Sequence, residues 1–127
     1  MQESRDETRN RKMAGVRGTM TVSIDRMEKA LVYLAETDEL AATLKADTER
    51  MEYKAKAVKD AIFRRIQDGS VADRQAIAGA SEEYAAAMEA YFTALARSEH
   101  VRNKRSTEAI VIECWRSINS SRNKGNL

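Results

Sequence analysis

The sequence predicts an all-α chain of long helices, and three observations carry that expectation. Proline is absent from its 127 residues, while Ala, Glu, Lys and Arg are abundant, the composition that favours uninterrupted helix. Alternation of β-branched and polar residues, the signature of a strand, is scarce. Apolar residues instead return at steps of three and four, which keeps them on one helix face. Hydrophobic residues make up 43% of the chain and aromatic residues only 6%, so a core built largely on alanine must be thin. An elongated bundle that assembles into a homo-oligomer by helix–helix packing would offset that deficit.

Residues 1–20 are polar, basic and aperiodic, with Gly15 and Gly18 where a helix would suffer, and are expected to be a disordered arm. Arg5, Arg9, Arg11, Lys12 and Arg17 there either add affinity for polyanions or form a solvated tail. A helical domain is expected over 21–120. Its first helix should begin near Thr21 or Ser23, whose hydroxyls can cap free backbone N–H groups. Ile24, Met27, Leu31 and Leu34 follow at helical spacing.

Glu36-Thr-Asp-Glu39 interrupts the apolar pattern, so a break is expected there, with Asp38 capping a second helix that runs to Asp68. That helix would span about 29 residues and roughly 45 Å. Its apolar stripe is Leu44, Thr48, Met51, Ala55, Val58, Ile62 and Ile66. Beside it runs Arg50, Lys54, Ala57, Ala61, Arg64 and Arg65, a flank expected to carry no carboxylate. Solvated helices usually mix both signs, because i,i+4 pairs support each other; a segregated flank points to an anionic partner.

Gly69-Ser70 should end this helix, Gly69 supplying a left-handed position and Ser70 with Asp73 a capping box for a short helix over 71–79. Gly79-Ala-Ser81 marks the next start, with Glu82 and Glu83 placed against the positive helix end. Tyr84, Met88, Tyr91, Leu95, Ile110, Cys114 and Ile118 continue the helical spacing. Between Ser98 and Glu108 only Val101 is clearly apolar, which fits one long helix with a solvated span or two helices parted near Asn103. The end of the chain, from Asn119, should fray, leaving 121–127 as a flexible tail.

Few chemistries are open to this chain. Cys114 is the only cysteine and His100 the only histidine, too few to close a zinc shell without carboxylates. Cys114, in the run Ile110-Val-Ile-Glu-Cys-Trp115, reads as a buried inert thiol. His100 lies in a polar stretch rather than beside an apolar pocket, and the five glycines form no phosphate-binding loop. No enzyme activity, catalytic residue, metal or cofactor is expected. No run approaches the roughly 20 apolar residues of a membrane span, and no signal peptide is recognisable, so a cytoplasmic location without membrane contact is expected.

The net charge is only +2, but basic ends flank a mildly acidic middle. Two basic clusters stand out: Arg50, Lys54, Lys56, Lys59, Arg64 and Arg65 with Tyr53 and Phe63 interleaved, then Arg97, His100, Arg102, Lys104 and Arg105. Lys and Arg bind nucleic acid by neutralising phosphates and releasing counterions, and aromatic rings stack on unpaired bases. Phe63 reads as core first and stacking platform second; Tyr53 fits either role.

In order and texture the chain resembles the UvsY recombination mediators of tailed phages. The resemblance rests on Leu31-Val-Tyr-Leu34, on the basic segment Tyr53-Lys-Ala-Lys-Ala-Val-Lys59, on the Gly69-Ser70 turn, and on a helical C-terminal half with Tyr84, Tyr91 and Trp115. It covers residues 24–120. It implies a helical, ring-forming homo-oligomer that binds single-stranded DNA and helps load a recombinase onto strands covered by single-strand-binding protein. In a phage-encoded protein the place of action would be the host cytoplasm. The DNA-contacting helix of the family would fall on Lys54, Lys56, Lys59, Arg64 and Arg65, with Glu52 and Asp60 interrupting it. The competing expectation is a helical protein-interaction module, such as a phage adaptor, scaffold or host-factor inhibitor, whose basic flank meets acidic side chains.

Overall fold

A computed structural model describes residues 21–125 of the chain. Three helices account for nearly all of them: α1 (Ile24–Arg65), α2 (Val71–Gly79) and α3 (Glu82–Gly125), with no strand among the described residues. The all-α expectation therefore holds. The arm expected over 1–20 lies outside the described residues.

Each helix start follows from a hydroxyl. The Arg26 N–H donates to Ser23 Oγ at 3.0 Å, which satisfies one of the free donors at the start of α1. Ser70 does the same for α2, accepting from the Asp73 N–H at 3.1 Å. Ser81 serves two helices, donating to the Ala78 carbonyl at 2.8 Å while accepting from the Tyr84 N–H at 3.2 Å. Gly69 carries a φ of +104°, so the turn between α1 and α2 uses the left-handed conformation that glycine adopts without a Cβ penalty.

The break expected at 36–39 does not occur. α1 is one helix of 42 residues, and Asp38 is an interior residue rather than a cap. The reason lies in the seam: Met27, Ala30, Leu34, Thr37, Ala41, Leu44, Thr48, Met51, Ala55, Val58 and Ile62 alternate steps of three and four, and every one is buried or half-buried. This is a heptad pattern. Thr37 and Ala41 occupy core-facing steps that a search for large apolar residues passes over. α3 is likewise continuous through 98–108, and its helix extends to Gly125 rather than fraying from Asn119.

The described residues divide into two compact units, one holding 21–35 and 105–125, the other Glu36–Lys104. Within the second unit α1 and α3 run antiparallel, and Thr48, Ala55, Ile62 and Ala78 are its buried residues. Thr48 Oγ1 lies 2.8 Å from the Leu44 carbonyl and 3.2 Å from the Ala94 carbonyl, sharing its one proton between its own helix and the neighbour. Within the first unit Ala30 is fully buried and Glu108 is 8% exposed. Arg26 grips Glu108 through two hydrogen bonds of 2.7 and 2.9 Å, a bidentate arrangement that fixes orientation as well as charge. The hydrogen bond to Glu108, helped by that group's charge, raises the Arg26 pKa above its ordinary value against the opposing effect of burial. Arg105 donates to the Leu34 carbonyl at 2.7 Å. No large side chain among the described residues is fully buried, so the thin core expected from composition is what forms.

Candidate nucleic-acid interface

Positions 50, 54, 57, 61, 64 and 65 share one exposed flank of α1, because their spacing repeats the steps of the seam displaced around the helix. The flank is not free of carboxylates. Asp47, three residues before Arg50, lies on it and pairs with Arg50 at 2.7 Å. Arg65 pairs with Glu83 of α3 at 3.1 Å. Both pairs are exposed, so each contributes little to stability and opens readily to a competing anion. Lys54 and Arg64 are exposed and have no ion pair among the described residues. Tyr53 stands 75% exposed beside Lys54, which places it on the surface rather than in the core.

Lys56 and Lys59 lie on other sides of the helix. Lys56 pairs with Glu52 across one turn at 3.6 Å. Lys59 is half-buried, its ammonium 5.5 Å from the centre of the Tyr84 ring, within range of a cation–π contact. Phe63 is half-buried too, and the Arg74 guanidinium lies over its ring at 5.0 Å. Arg74 Nε is buried without an acceptor; the side chain meets an aromatic ring in place of a carboxylate. Arg74 belonged to neither basic cluster read from the sequence. Its only signal was being the one cation of α2.

The α3 cluster divides. Arg97, His100 and Lys104 share an exposed flank at steps of three and four. Arg102 is exposed and pairs with Glu99 at 3.4 Å. Arg105 is half-buried and committed to the Leu34 carbonyl, which makes it part of the fold. Cys114 is half-buried rather than buried. Among the described residues no group of three His, Cys, Asp or Glu side chains is placed to hold a metal ion, and no helix is long and apolar enough to cross a membrane.

Between α1 and α2 opens a cleft of about 380 Å³ lined by Lys59, Asp60, Phe63, Arg64, Gln75 and Ala78. It brings two of the expected basic residues beside an aromatic ring. Comparison with protein-family models, with curated proteins and with solved structures finds no match to this chain.

Proposed function

We propose that this chain is a nonenzymatic single-stranded DNA-binding protein acting as a recombination mediator. The observation that carries the DNA-binding part is the flank of α1 on which Lys54 and Arg64 stand exposed and without ion pairs, beside the 75% exposed ring of Tyr53. Cations neutralise phosphates, and an aromatic face accepts an unpaired base irrespective of its identity. Arg50 and Arg65 add to the same flank once their exposed carboxylate partners are displaced. The narrower role, loading a recombinase onto strands covered by single-strand-binding protein in the cytoplasm, rests on the UvsY-like order of segments. Assembly into a homo-oligomer is supported by the apolar side chains left exposed, among them Ile24 at 61% and Leu31 at 49%.

Fluorescence anisotropy on a labelled single-stranded oligonucleotide across a salt series tests the reading. Affinity should fall with salt, with a log–log slope of about 0.7 per phosphate neutralised. Reversing Lys54 and Arg64 to Glu should flatten that slope while leaving helicity intact. Absence of binding at low salt rejects the proposal. A protein-interaction module is the second reading, favoured by exposed Ile77, Phe92 and Ile110; capture of a protein partner that survives nuclease treatment, with no oligonucleotide binding, would select it.

A further inference from the structure

The cleft between α1 and α2 combines groups that no single phosphate or peptide carboxylate would require together. Arg64 is an exposed guanidinium without an ion pair among the described residues, a shape suited to a phosphate's paired oxygens. Lys59, on another side of α1 and steadied by the Tyr84 ring, lines the same cleft. Phe63 supplies an aromatic wall, fixed by the Arg74 guanidinium over its ring. The same wall carries Asp60, whose carboxylate has no hydrogen bond or ion pair among the described residues although Lys59 and Arg64 line the cleft with it. A carboxylate repels a bare anion. It does accept hydrogen bonds from an exocyclic amine, and Gln75 across the cleft offers both an amide donor and an acceptor.

We propose that this cleft receives one unpaired nucleotide of a single-stranded DNA and favours a base bearing an exocyclic amine, such as cytosine, over thymine. The assignment rests on the single-stranded DNA reading above and gives it a base preference. Lys59 and Arg64, from two sides of α1, meet the phosphates on either side of that nucleotide, Phe63 lies against the base, and Asp60 accepts from the amine, which in cytosine is N4. Thymine offers a carbonyl oxygen at the corresponding position, which faces the Asp60 carboxylate as acceptor against acceptor. The volume, about 380 Å³, falls within the usual span of small-ligand pockets.

Anisotropy with oligo-dC and oligo-dT of equal length, on the full chain at fixed salt, tests the assignment. The expected result is binding of both through the α1 flank, with oligo-dC tighter by about fivefold or more, the low end of discrimination by a specific base contact. Asp60→Asn, at an exposed position, replaces one acceptor oxygen by a donor and should bring the two affinities together; circular dichroism checks that the helix remains. Salt-sensitive binding of both oligonucleotides with equal affinity overturns the cleft assignment and leaves the DNA reading standing. A cytosine preference that persists in Asp60→Asn likewise overturns it. No binding of either oligonucleotide rejects the DNA reading and the cleft assignment with it.

Discussion

Gly69 holds the one left-handed backbone position among the described residues, at φ +104°. A Cβ there would meet Asp73 Cβ at 3.4 Å, so the greater cost is conformational rather than steric. Gly69→Ala should destabilise the fold by about 1–2 kcal/mol, read as a shift in the urea midpoint with an unchanged slope. Glu108 presents a different case. Its carboxylate is buried and its partner Arg26 is partly exposed, with side-chain exposures of 10% and 42%. Glu108→Ala leaves a guanidinium that can turn to water, whereas Arg26→Ala leaves a buried carboxylate with its bidentate partner gone; of the two, Arg26→Ala should lower the melting temperature more. The Arg26 pKa is raised, so its stabilising share is complete below the ordinary arginine value and is lost only as pH climbs through a still higher one. Thermal melts across neutral and mildly alkaline pH should therefore show no loss traceable to Arg26.

The continuity of α1 through 36–39 is a property of the element and is open to test there. If that segment were a linker, proline would be tolerated. In a helix interior it removes a backbone donor and clashes with the preceding turn, at a cost of about 3 kcal/mol. Glu39 is exposed, so Glu39→Pro changes no packing, and a loss of that size in chemical denaturation with reduced helical circular dichroism is the expected outcome. The same stretch shows what was legible in the sequence. Helix type, the Ser23, Ser70 and Ser81 starts and the Gly69 turn could be read because they depend on local chemistry. The joins at 36–39 and 98–108 could not, because the seam there is filled by Thr37, Ala41, Arg105 and Glu108. Small or polar side chains on a core face register as gaps until their partners, brought near only by folding, are known. The carboxylates that meet the α1 flank divide in the same way: Asp47 was within reach of inspection at three residues from Arg50, whereas Glu83, on α3, approaches Arg65 only once the chain has folded back through α2.

For the molecule as a whole the decisive quantity is apolar surface left in water. Ile24 and Leu31 are seven residues apart on α1, so they share one edge of its heptad pattern, and both are exposed. The seam beside them is complete without them, through Met27, Ala30 and Leu34. Leu31→Lys should therefore leave helicity and the intrachain packing nearly unchanged. If that edge meets a second copy, each buried leucine contributes about 1.5–3 kcal/mol to association, and its replacement by a charge should weaken self-association by an order of magnitude or more. Sedimentation across a concentration series would show the substituted chain shifted toward the monomer mass at concentrations where the parent chain is associated. Pairing that measurement with oligonucleotide separates two roles. A monomeric Leu31→Lys chain that keeps the salt-dependent affinity of a single α1 flank would place DNA contact and assembly on different faces, while a shared loss would make DNA binding depend on the assembled state. A parent chain that sediments as a monomer at every concentration, with and without DNA, would show that these side chains remain in water and that the thin core stands alone.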